Sequence, residues 1–247
     1  MLEILVQTTI TLLTSIRRAR HLEIWAGLAL TAVLCGSVLA AAPAPARCPE
    51  GNVVIEAADA SDFEIGCRGA AAAAEFLAAS GLDGGTPIEI SFVDVMPDSV
   101  AATPMVGCYV RAKNRIYVLT FARCQQRRLA HDVAIDRPVH MGLVAHEVAH
   151  RIVAANVRQV RLSTVAQEYI AYVTMYATMP EIPRERVLRQ IPGDGFESDV
   201  QINATVYLID PVRFGAQAYR HYLKPGVGRL FIASVLNGQV LVEDETR

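Results

Sequence analysis

The sequence predicts an α+β protein: a small mixed-sheet lobe over residues 41–125, then a mainly helical lobe over residues 126–247. Three observations lead there. Short β-branched or alternating runs cluster before Leu119, as half-buried strands require. Beyond Cys124 the apolar residues recur at helical spacing, punctuated by capping residues and prolines. Between the two patterns lies one long, almost wholly apolar helical stretch, residues 137–157.

The chain opens on a segment that does not belong to that fold. Ile24–Ala42 is an uncharged run of nineteen residues, preceded by Arg17, Arg18 and Arg20 and followed by PAPAR. Basic flank, apolar core and small-residue exit are the parts of a secretory signal, with Val38-Leu39-Ala40 as the cleavage motif. The same run is long enough to stay as a membrane anchor with its N-terminus in the cytoplasm. Both readings export the rest, to the periplasm or the medium, as a single domain over residues 41–247.

Residues 52–57 read as a strand, and a helix follows from a cap at Ser61 to Gly81. Residues 87–93 alternate as a strand, 96–99 read as a loop, and Cys108–Leu119 reads as a hairpin turning at residues 112–115. Asp136 caps the long helix, with Pro138 in its first turn. Another helix runs from Ser163 to before Pro180, and shorter ones are expected at 183–191, 198–208, 211–223 and 226–237.

Composition narrows the function. The chain is 52% hydrophobic and 19% charged, with a net charge of −2 and no basic stripe, so no nucleic-acid partner is expected. Membrane contact is expected only through the N-terminal run. Beyond Cys35, inside that run, four cysteines remain, and in an oxidising compartment they suggest two disulfides. Local pairing, Cys48–Cys67 and Cys108–Cys124, is expected because the second pair brackets the hairpin; free buried cysteines are the alternative.

The chemistry-bearing residues are His146-Glu147-Val148-Ala149-His150, inside the long helix. At 3.6 residues per turn the histidines lie about 40° apart, with Glu147 on the same face. Two imidazoles can then meet one cation, with a carboxylate beside it. Burying three such groups in the apolar stretch MGLVAHEVAHRIVAA without a partner would be costly. A third ligand is expected from the next helix, where Glu168 is the only carboxylate before Pro180 and shares a stripe with Val165, Tyr169 and Tyr172. Glu181 and Glu185, beyond Pro180, are poorer candidates, and His131 and His140 are expected to be loop or surface residues.

These residues resemble the gluzincin branch of zinc metallopeptidases. The resemblance covers about thirty residues closely. Val153 and Asn156 stand where a metzincin would carry Gly and His, so that branch is rejected. The resemblance implies a zincin-like fold, Zn2+ held by His146, His150 and Glu168, Glu147 as general base, and a peptide or protein substrate. By fold analogy the strand at Arg115–Leu119 would be the sheet edge against which an extended peptide pairs. The family's downstream tyrosine or histidine has no motif here; Tyr207, Tyr219, His221 and Tyr222 are the candidates, and none is assigned. Tyr172 stands where some gluzincins carry an aspartate. Two alternatives stay open: a catalytically inactive, zincin-like metal-binding or interaction module of the cell envelope, and a metal-independent, membrane-tethered interaction domain.

Overall fold

The structure, a computed structural model, describes residues 43–85, 87–98, 105–157 and 162–241. The expected signal or anchor, with its cleavage motif Val38-Leu39-Ala40, lies outside the described residues. Among those residues no helix is long and apolar enough to cross a membrane. The described residues form one compact unit of mixed α+β architecture.

Strand β1 (Ala46–Arg47) pairs antiparallel with β2 (Val53–Glu56). Helix α1 (Ala60–Ala78) crosses over to β3 (Ile88–Val93), which lies parallel to β2, as a crossover connection requires. Then β4 (Gly107–Val110) and β5 (Arg115–Leu119) form the expected hairpin, closed by Asn114 in the left-handed region at φ 47°. The sheet order is β1-β2-β3-β5-β4, with β5 parallel to β3. The inner strand is therefore β5, and the open edge beside the helices is β4. The expectation that Arg115–Leu119 forms the edge is corrected here. Pairing to β3 satisfies one side of β5 and the hairpin satisfies the other, so of these two strands it is β4 that keeps an unpaired side.

Register follows from period-two burial. Ile55, Ile90 and Ile116 lie side by side in one buried row, while Arg115 stands on the opposite face between Glu56 and Glu89. A slip of one residue would drive that guanidinium into the core.

Helix α1 is capped by Asp59, whose carboxylate accepts from the Ser61 amide, two residues before the expected cap. Its small residues let it lie close to the long helix: a Cβ on Gly69 would come within 2.9 Å of the Met141 carbonyl oxygen. Cys67 on this helix forms the expected disulfide with Cys48. Closing a loop of that length, 19 residues apart in sequence, stabilises the fold by about 3 kcal/mol on chain-entropy grounds.

The second expected disulfide is absent: Cys108 and Cys124 are free. Hairpin register places Cys108 opposite Tyr117, whereas the chain turns after Leu119 into the short helix α2 (Phe121–Cys124). That turn carries Cys124 into the core, where its thiol donates to the Leu119 carbonyl at 3.4 Å.

A small hairpin of β6 (Arg128–Leu129) and β7 (Val133–Ala134) precedes α3 (Arg137–Asn156). Asp136 caps α3 through the Val139 amide, and Ser163 caps α4 (Thr164–Thr178) through the Ala166 amide, both as the sequence predicts. Then follow α5 (Glu181–Gln190), α6 (Ala204–Ile209), α7 (Pro211–Tyr222) and α8 (Gly228–Leu236). The helix expected at 198–208 is broken into a 3-10 turn, Asp199–Gln201, and α6. Asn203 causes the break, because its side chain accepts from the Val206 amide and starts a helix of its own. The inner sheet face, α1, α3 and α4 share one core, and a second cluster gathers Leu119, Cys124, Val139, Met175 and Tyr219.

Candidate metal centre

Helix α3 presents His146, Glu147 and His150 on one face, and α4 packs beside it so that Glu168 comes opposite. His146 Nε2 and His150 Nε2 are 3.1 Å apart. The two Glu168 oxygens lie 3.5 Å from one imidazole nitrogen each. Donors at tetrahedral positions about 2.1 Å from a metal are about 3.4 Å from one another. The triangle therefore has the size that one small divalent cation needs, and these three residues could hold it.

Two further observations fit a cation. Imidazole nitrogens facing at this distance can share only one proton, so at least one lone pair is otherwise wasted in a buried place. Burial, with help from the facing His146, pushes His150 down to about 4, which keeps it a neutral donor. Burial opposes the charge on His146 too, but the Glu168 carboxylate outweighs it and holds that group up. Burial likewise works against the Glu168 charge, and His146, His150 and the Tyr207 hydroxyl together more than offset it, lowering its pKa. His146 and Glu168 thus support each other's charge while His150 stays neutral, a donor set that suits a cation.

Glu147 points away from the triangle's centre toward β4. Burial raises it to about 7; His146 and the Tyr109 amide pull it down, and the Glu168 charge pushes it up. Contact with β4 is possible only because residue 107 is glycine. A Cβ there would sit 2.7 Å from Glu147 Cγ and 2.8 Å from its Oε1.

The cleft in front of these groups has a volume of about 520 Å³ and runs between β4, the β6–β7 hairpin and the α6–α7 elbow. Of the four unassigned aromatic candidates, Tyr207 alone lines it. Its hydroxyl lies within hydrogen-bonding reach of Glu168, and burial raises its pKa, so it stays a donor. His221 is committed elsewhere, to the Tyr169 hydroxyl at 2.8 Å, and Tyr219 packs on Tyr176 and Tyr222. Tyr172 packs edge-on against His146, with ring centroids 4.6 Å apart, so an aromatic ring stands where some gluzincins carry a carboxylate. His146 Nδ1 is buried without a hydrogen-bond partner among the described residues.

The remaining candidates lie off the site. His131 is bonded to Asp210, and His140 is fully buried against the Leu119 carbonyl; the expected surface position of His140 is corrected by that burial. Glu181 and Glu185 lie on α5, outside the cleft lining. Gly107 had no signal in the sequence, since it matters only through a neighbour on another element, whereas Tyr172 was marked only by its spacing from Glu168.

The sequence profile of DUF6639, a family of unknown function, matches residues 53–245, a span that takes in the sheet from β2 onward and the whole site. The chain belongs to the DUF6639 family. Within that DUF6639 match lie the HExxH helix, Glu168, Gly107 and Tyr207. Comparison with curated proteins and with solved structures finds no match.

Proposed function

We propose that this DUF6639 chain is an exported, zinc-dependent metallopeptidase of gluzincin type with a zincin-like fold. The observation that carries the reading is the preformed His146–His150–Glu168 triangle with the Glu147 carboxylate beside it, opening on a cleft. A carboxylate that ligates nothing in the triangle, next to the place a cation would occupy, suits a general base better than a structural site. The Cys48–Cys67 disulfide supports export.

Zn2+ in this site would supply a Lewis acid that acidifies water and polarises a carbonyl. Glu147 would take the proton from the attacking water and return it to the leaving amine; its buried carboxylate is suited to both directions of transfer. Tyr207 would donate its hydroxyl hydrogen to the oxyanion that develops in front of Glu168. The Leu119 amide donates to Val106, so positions 106, 108 and 110 face β5, and the amides and carbonyls of Gly107 and Tyr109 face the open side. The Tyr109 amide already serves Glu147, so an extended peptide could add to that side through the Gly107 groups and the Tyr109 carbonyl.

The test is paired. Wild type should hold about one zinc per chain, and His146→Ala should lose it. Glu147→Gln should keep the metal and lose peptide cleavage by at least about 100-fold. Cleavage at the wild-type rate by the Gln variant would remove the catalytic assignment.

A second reading, metal binding without turnover, is favoured by His146 Nδ1, because metal-bound histidines usually donate their other N–H to a fixed partner. Bound zinc with no hydrolysis across a broad peptide library would decide for it.

A further inference from the structure

We propose that Arg111 forms an anion subsite at one end of the cleft, selecting peptides that carry a carboxylate about two residues from the scissile bond. This deepens the peptidase reading and rests on it.

Apart from the histidines, Arg111 is the only basic side chain among the residues lining the cleft. It is exposed, and no ion-pair or hydrogen-bond partner engages its guanidinium among the described residues. Its neighbours are occupied: Arg115 is held by Glu56 and Glu89, and Lys113 lies over the Tyr117 ring. The acidic groups of the cleft are engaged elsewhere, Glu147 buried against β4 and Glu168 facing His146 and His150. Much of the remaining wall is apolar, with Met105, Val106, Leu129 and Leu143 along it. A peptide lying there meets one unneutralised positive charge on an otherwise apolar track.

Position follows from the strand. The Tyr109 amide donates to Glu147, so Tyr109 marks the place along β4 where the proton is handled. Arg111 is the first residue beyond β4, opening the 3-10 turn Arg111–Lys113, and the extended backbone at Val110 sets it about 7 Å past Tyr109. A peptide paired to the open side advances by the same step, so the guanidinium addresses a group about two residues from the bond served by Glu147. A planar guanidinium binds a carboxylate through two parallel hydrogen bonds, which a neutral amide cannot reproduce. The carboxylate has two sources, an Asp or Glu side chain or the C-terminal α-carboxylate. The second would make the enzyme act near C-termini.

Binding and cleavage are measured separately so that the two readings fail separately. Fluorescein-labelled peptides, identical but for Asp or Asn and each with a free or amidated C-terminus, are titrated against zinc-loaded Glu147→Gln protein by anisotropy. The carboxylate member of the sensitive pair should bind roughly tenfold tighter. Arg111→Gln, added to that protein, should bring the ratio close to one, and Arg111→Lys should keep part of it. Zinc content and circular dichroism of each variant check that the fold is intact. Loss of the preference on amidation assigns the α-carboxylate; loss on the Asp-to-Asn change assigns a side chain. Equal binding within both pairs, or a preference that survives Arg111→Gln, overturns the subsite. Charge-selective binding that needs Arg111, with no cleavage by wild type, keeps the subsite and removes the peptidase reading. Cleavage by wild type without charge preference does the reverse.

Discussion

At the scale of single residues the site depends on a missing side chain as much as on those present. Gly107 allows β4 to approach Glu147, and a methyl group there would overlap the carboxylate stem at 2.7 Å. The strand is held by its hairpin partner and α3 is packed on three sides, so the movable party is the Glu147 side chain. Gly107→Ala should therefore retain zinc and the fold while lowering kcat about 100-fold, the cost typical of displacing a catalytic group by about 1 Å. Unchanged kcat in that variant would show that Glu147 has room to spare. His146 and His150 were legible because four residues bring a helix back to the same face. Gly107 was not, because its constraint comes from a residue forty positions away in the chain.

At the scale of elements, the rim of the cleft is tied by one polar contact. His131 Nε2 lies 2.7 Å from Asp210 Oδ2, joining the β6–β7 hairpin to the elbow between α6 and α7. His131 and Asp132 both adopt the left-handed region, at φ 60° and 58°, a conformation that costs non-glycine residues of order 1 kcal/mol each. Asp210 also caps α7 through the Arg213 amide, and Tyr207 stands three residues before it on α6. The tie thus offsets strain in the hairpin and fixes the wall formed by Leu129 and Pro211. His131→Ala should speed amide hydrogen exchange in residues 128–134 while leaving α3 and α4 protected, and should raise KM more than it lowers kcat. Uniform loss of protection across the protein would instead make the contact a general stabiliser. Helix ends in this part of the chain were readable from Asp136, Ser163 and Asp210, whose caps are local. The break at Asn203 was not anticipated, since the same residue reads equally well inside a helix or at its start.

For the molecule as a whole, acid stability has an identifiable contributor outside the candidate metal site. His140 is fully buried, donates to the Leu119 carbonyl, and is pushed down to about 4, chiefly by burial. Between its ordinary value of 6.5 and about 4 the unfolded chain takes up a proton that the folded chain refuses. Its contribution is present above that window and is lost as pH falls through it, by up to about 3 kcal/mol. His140→Gln, which keeps a donor for Leu119, should flatten the fall in unfolding free energy between pH 6.5 and 4. Urea titrations of metal-free protein isolate this effect from zinc loss. Parallel acid limbs in the two proteins would place the titration elsewhere.

The sequence by itself determined the order β2, α1, β3, β4, β5, α3, α4, the residues that start α3, α4 and α7, and the shared face of His146, Glu147 and His150 on α3. It also pointed to Glu168 as the lone carboxylate on the next helix. All of these are short-range: a cap acts within four residues, and helical or strand period is set by backbone geometry alone. Only the tertiary structure decided that β4, not β5, is the open edge of the hairpin, that Cys108 and Cys124 stay apart, that Tyr207 rather than His221 reaches the cleft, and that Arg111 lines it. Each depends on which distant segments pack together, and that is chosen by the burial of the whole apolar face rather than by any residue's neighbours in the chain.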